Sequence, residues 1–106
     1  RAVDQLQQSV VWLVRTAEEI SDERDTDQAV VLLSWYLLNL GPITSSAYAK
    51  LIGTSQSTAV EKLRGQVEIG FLTRIGAGRS TRYTLTSGVS ERVARRVAEE
   101  PALYVA

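Results

Sequence analysis

Between Thr54 and Arg82 the chain concentrates the side chains that can recognise something. Thr54, Ser55, Gln56, Ser57 and Thr58 form an unbroken run of hydroxyl and amide groups, and Glu61 and Arg64 follow at helical spacing. Arg74, Arg79, Ser80 and Arg82 come next, set around Gly76 and Gly78. These groups donate and accept hydrogen bonds and carry fixed positive charge, which suits holding an anionic surface and reading polar edges. They do not suit bond breaking. The chain contains no histidine and no cysteine. The commonest general base, the thiolate nucleophile and the usual zinc ligands are therefore missing. Glu18-Glu19 and Glu99-Glu100 are carboxylate pairs in sequence only, because adjacent residues on a helix point apart. Gly76-Ala77-Gly78 lacks the strand-to-helix setting of a phosphate-cradling loop. No nucleophile–base set emerges, so the chain reads as no enzyme, with no catalytic residue, no metal and no cofactor.

The elements that must position these residues follow from the apolar pattern around them. Ser45 or Ser46 can cap a helix whose apolar face is Ala47, Tyr48, Leu51 and Ile52. Gly53 falls where a tight turn needs positive φ, and Thr54 or Ser55 can cap the next helix. In that helix Ala59, Leu63 and Val67 recur every four residues, a single narrow apolar stripe. Gln56, Ser57, Val60, Glu61 and Arg64 occupy the opposite face. Gly65 carries a helix penalty of ~1 kcal/mol, which predicts a loose end. Phe71, Leu72 and Ile75 then supply one strand, and Tyr83 and Leu85 alternate with Arg82, Thr84 and Thr86 in another. Glycines on either side of Ala77 permit the hairpin turn. Ile43-Thr44 is a stub that can pair with this hairpin.

Helix, turn, helix and hairpin in that order suggest a surface for duplex DNA. Gln56 can pair with adenine, Arg64 with guanine or a phosphate, and Glu61 can accept from cytosine. Glu61 also repels phosphate. Arginines on a projecting hairpin are placed for the backbone or a minor groove. The plainer alternatives are a solvated polar helix face and a charged strand edge that discourages aggregation.

On the N-terminal side, Val3, Leu6, Val10, Leu13, Ala17 and Ile20 alternate in steps of three and four. This is an a/d seam, widened by Val11, Trp12 and Val14. It serves dimerisation, or packs on the domain's own helices. After an acidic break, Asp25 or Thr26 can cap a helix that is apolar nearly all round from Val30 to Leu40, as a buried pillar would be. Trp35 and Tyr36 read as core. Gly41 and Pro42 end that helix. Beyond the hairpin, Ser87-Gly88 precedes a helix with Val89, Val93 and Val97 on one side and Arg92, Arg95 and Arg96 on the others. That helix is expected to join the first in a dimer interface. Pro101 stops it, and Leu103, Tyr104 and Val105 form an apolar tail.

At 106 residues the chain can build one core without staples. Its formal charge is zero, but unevenly spread. Residues 1–40 hold three cations against seven anions, residues 41–90 six against two, and residues 91–106 three of each. The positive excess coincides with the helix-turn-helix pattern, as a phosphate-facing surface requires. No apolar run reaches the ~18 residues of a membrane span, and no signal peptide is evident. The absence of cysteine is compatible with a cytoplasmic setting. The chain begins with arginine and has no methionine, so a fragment of a longer protein is expected.

Ser57-Thr58-Ala59, Leu63, Val67-Glu68, Gly70-Phe71-Leu72 and the tip from Gly76 to Tyr83 resemble bacterial and archaeal winged helix-turn-helix domains. The resemblance is closest to modules at the ends of helicase-like transcriptional regulators and looser to the MarR and ArsR repressor groups. It covers about Gly41 to Thr86. Thr58-Ala59 fits the family's threonine-alanine pair, while Glu61 replaces a basic residue and Gln66 a leucine. The resemblance implies a mainly α fold with a small β-hairpin, a winged helix-turn-helix with extra N- and C-terminal helices. The expected organisation is an N-terminal dimerisation helix over 1–24, the winged unit over 26–86, and a C-terminal helix and tail over 87–106. The expected function is sequence-specific binding of double-stranded DNA by a homodimeric transcriptional regulator, such as a repressor. A protein-interaction or assembly module without DNA reading is the alternative.

Overall fold

A computed structural model describes residues 2–21 and 28–99, with side chains from Gln7 onward. Among these residues five α-helices and one hairpin follow in chain order: α1 (Ala2–Ser21), α2 (Gln28–Asn39), α3 (Ser45–Ile52), α4 (Gln56–Glu68), β1 (Leu72–Ile75), β2 (Arg82–Leu85) and α5 (Ser87–Glu99). This is a mainly α winged helix-turn-helix carrying an extra helix at each end.

The turn between α3 and α4 is set by local chemistry. Thr44, in extended conformation, accepts the Ala47 N–H at 3.1 Å through its hydroxyl oxygen. Ser45 and Ser46, the expected caps, are already inside the helix, because the residue that stays extended and reaches three positions ahead is Thr44. Gly53 then turns left-handed with φ 69°, and Thr54 N–H donates to Ala49 C=O at 3.0 Å. Ser55 caps α4, accepting from Thr58 N–H at 3.3 Å. The helix does not loosen at Gly65. Ile69 N–H donates to Gly65 C=O at 3.1 Å. Phe71 N–H then donates to Gln66 C=O at 3.0 Å and Gly70 N–H to Val67 C=O at 3.1 Å, the paired bonds of a Schellman termination.

The strands pair antiparallel in the register Leu72↔Leu85, Thr73↔Thr84, Arg74↔Tyr83 and Ile75↔Arg82. Ile43 and Tyr83 exchange backbone bonds of 2.9 and 2.8 Å, so the stub before α3 ties the hairpin to the helices. At the tip, Gly76 has φ 77° and Gly78–Ser80 make a single 3-10 turn.

One apolar cluster runs through every element. Leu13, Leu33, Ile43, Ala59, Leu63 and Phe71 are fully buried in it, with Trp12, Ala17, Tyr48, Leu72, Tyr83, Val89 and Val93 close behind. α2 supplies Leu33 and Leu37 as the expected pillar, lying between α1 and α3. Its third side is open, however. Trp35, expected in the core, is 46% exposed, because two neighbouring helices cannot cover a helix that is apolar all round.

α1 packs against both α2 and α5. Leu13 and Ala17 therefore face inward and are buried in this protomer's own core, which removes them from any seam offered to a second copy. Val10 and Ile20 are half-buried, while Val3 and Leu6 lie outside the described side chains. α5 begins at Ser87 itself, so Ser87-Gly88 forms its first turn and not a spacer. Arg92 and Arg96 both reach Glu19 on α1, Arg96 at 3.0 Å, and Arg96 also lies 4.7 Å over the Trp12 ring. They clasp α5 to α1. The cap at Asp25 or Thr26, and the tail with Leu103, Tyr104 and Val105, lie outside the described residues.

Candidate nucleic-acid interface

The narrow stripe of α4 does what its spacing predicts. Ala59 and Leu63 are fully buried and Val67 half-buried, which turns the other side of the helix outward. Ser55, Gln56, Ser57, Thr58, Glu61 and Arg64 are all exposed; Thr54 is half-buried.

The first turn of α4 is internally organised. Ser55 Oγ donates to Thr58 Oγ1 at 3.0 Å and lies 3.3 Å from Ser57 Oγ. Ser55 therefore holds the helix start as well as facing solvent. Gln56 Nε2 donates to Ser45 Oγ at 3.1 Å, linking the starts of α3 and α4. The amide is held in place but remains exposed, so it can exchange that bond for another. Further along, Arg64 Nη1 donates to Glu61 Oε1 at 2.9 Å.

The hairpin arginines share one element but not one face. The ladder places Arg74 opposite Tyr83 and Ile75 opposite Arg82. Residues directly opposite share a face, and successive residues alternate. Arg74 thus stands with Tyr83, and Arg82 with Ile75 on the other side. Arg79 and Ser80 occupy the tip, where Ser80 Oγ donates to Ala77 C=O at 2.8 Å. Arg74, Arg79 and Arg82 are exposed and form no ion pair among the described residues.

Arg74 and Tyr83 face α4. With Val60, Arg64 and Val67 they line an open cleft of about 260 Å³ between helix and hairpin. Two arginines thus border a largely apolar lining, one from each element. Val67 and Tyr83 were not among the residues the sequence singled out for contact, and Val60, expected on the face opposite the apolar stripe, instead shares a flank with Val67 and is half-buried. Val60 and Val67 follow each other at i and i+7 on the flank of α4, a signal present in the sequence. The partnership of Tyr83 with Arg74 needed the strand register. The C-terminal arginines contribute differently from the hairpin ones, since Arg92 and Arg96 are occupied by Glu19.

Among the described residues no group of histidine, cysteine, aspartate and glutamate is placed to hold a metal ion. No helix among them is long and apolar enough to cross a membrane.

The family model "Transcriptional regulator DIP2311-like, C-terminal domain" matches residues 21–86, more than half of the chain. A solved MarR family protein from Bacillus stearothermophilus is similar in structure, with a TM-score of 0.53 and 20% sequence identity. The alignment covers 85% of this chain and 66% of that protein, just under two thirds of its length. At that identity the likeness speaks for the winged-helix fold. No curated protein matches the sequence.

Proposed function

The chain belongs to the family of DIP2311-like transcriptional regulator C-terminal domains, and on that premise we propose that it binds double-stranded DNA sequence-specifically, as a homodimer, through α4 and the hairpin. The observation that carries the reading is the concave corner between them. Arg64 and Arg74 line it from two elements, and the exposed polar face of α4 continues from one side of it. A duplex laid on this corner would put the first turns of α4 into the major groove and a backbone strand between helix and hairpin. In that pose Gln56, Ser57, Thr58, Glu61 and Arg64 address base edges. Arg74, Arg79, Ser80 and Arg82 address phosphates or the neighbouring minor groove. Thr54 and Ser55 sit at the start of α4, where backbone amides also favour phosphate.

The proposed dimer uses the outward flank of α1, where Val11 is exposed and Val10, Val14 and Ile20 are half-exposed. Two copies would present their α4 helices to half-sites about one turn, ~34 Å, apart. Regulation by occupancy of an operator, as a repressor acts, and residence in the cytoplasm follow as parts of the same proposal, which assigns no chemistry to the chain and no cofactor.

The deciding experiment is binding of the wild-type chain and of Arg79→Ala/Arg82→Ala to duplex DNA, followed by fluorescence anisotropy across a salt series. The double variant is expected to weaken on every sequence, with the salt slope reduced by about two. Selection of bound sequences from random DNA should change with Gln56→Ala or Arg64→Ala, by roughly 1–3 kcal/mol at the affected base pair. If none of these variants alters binding, the proposed docking is wrong.

A protein-interaction module is the competing reading, favoured by the exposed Trp35 and Leu40. Salt-dependent retention on a DNA column separates the two. An assembly module would pass through unretained.

A further inference from the structure

Glu61 stands on the face of α4 that the DNA-binding reading turns toward the duplex, and it is the acidic residue of that helix's outward N-terminal half. It lies one turn before Arg64, and the two are paired at 2.9 Å although their side chains are 69% and 62% exposed. Arg64 also lines the cleft that Arg74 closes from the hairpin. Arg74, by contrast, has no ion pair among the described residues. The two arginines of the cleft are therefore not equivalent. One is open to an anion, and the other already has an internal counter-ion.

We propose that Glu61 is a built-in competitor for Arg64 that lowers affinity for arbitrary duplex and so sets sequence selectivity. The inference rests on the DNA-binding reading of the same surface. A phosphodiester entering the cleft meets Arg74 directly. It gains Arg64 only in competition with Glu61, which already holds Nη1 of that guanidinium. The Glu61 carboxylate then stands beside the polyanion, inside the ~10 Å screening length at 0.1 M salt. It finds a partner on the duplex where a base edge offers an amino hydrogen, as cytosine N4 does in the major groove. On sequences with that donor the exchange of partners is complete. On others Glu61 is left opposing the phosphates. Non-specific binding, which depends on phosphate contacts, bears the larger loss.

The test uses the full chain, a random-sequence duplex and the best duplex selected by the wild type. Three single variants are compared: Glu61→Gln, Arg64→Gln, and Glu68→Gln as a control for net charge on the same helix. The double variant Glu61→Gln/Arg64→Gln completes a cycle. Glu61 and Glu68 are both exposed, and circular dichroism checks that the fold is kept. Glu61→Gln is expected to raise affinity for random duplex roughly five-fold or more, to raise it less or lower it on the selected duplex, and to steepen the salt slope by about one. Arg64→Gln is expected to cost more in the Glu61→Gln background than in the wild type. Equal gains on both duplexes, gains matched by Glu68→Gln, or no gain at all would overturn the proposal while leaving DNA binding intact. If the folded wild type and Glu61→Gln both fail to bind any duplex, the DNA-binding reading itself falls, and the proposal with it.

Discussion

Gly76 shows how much one residue decides at the tip of the hairpin. It holds φ 77°, and a Cβ built on it would lie 2.5 Å from the Ser80 carbonyl oxygen. Gly76→Ala must therefore open the tip turn, and it is expected to destabilise the protein by about 1–3 kcal/mol. Thermal unfolding measures that loss. In the proposed function the same variant also weakens DNA binding, since Arg79 and Arg82 would be re-aimed. A loss of stability with unchanged affinity would show that the tip does not touch DNA. Leu63 decides the orientation of α4 in the opposite way, by being fully buried. Leu63→Ala is expected to cost about 2–5 kcal/mol, read as a lower unfolding midpoint.

At the scale of the element, the helix-turn-helix is held by hydroxyl groups as much as by its apolar side. Thr44 and Ser55 cap α3 and α4. Thr44→Ala and Ser55→Ala are each expected to cost roughly 1 kcal/mol in chemical denaturation. Ser55→Gly should cost only a few tenths. Recovery by glycine would identify the cap as a conformational need more than a hydrogen bond. Much of these elements was legible in residue order. The four-residue stripe of α4 and the alternation around Tyr83 each follow from the period of one element. The choice of Thr44 over Ser45 was not legible, because three consecutive hydroxyl residues offer the same side chain in adjacent positions. Only the backbone conformation distinguishes them.

For the whole molecule, the clasp between α1 and α5 changes what the N-terminal helix has left to offer. Leu13 and Ala17 are used inside the protomer, while Val11 stays on the surface. In the proposed dimer, Val11→Asp should shift the particle toward monomer in light scattering with little loss of protomer stability. Leu13→Ala should do the reverse, lowering the unfolding midpoint through a cavity of the kind that costs about 2–5 kcal/mol. A Val11→Asp chain that remains at wild-type mass would remove α1's outer flank as the dimer surface.

The candidate site divides along the same line. That α4 would turn Ser57, Thr58, Glu61 and Arg64 outward was contained in the sequence, because burying Ala59 and Leu63 on a helix leaves those positions on its other sides. Gln56, seven residues before Leu63, shares the stripe's side and is exposed only because it begins the helix, where it meets Ser45 of α3. That Arg74 parts company with Arg82 was decided by strand register, since a shift of one residue exchanges the two faces of a strand. The meeting of Arg74 with Arg64 across a cleft, the exposure of Trp35, and the occupation of Arg92 and Arg96 by Glu19 were decided only by packing. Each depends on which helix or strand lies next to which, and residues distant in the chain carry no local periodicity that records their neighbours.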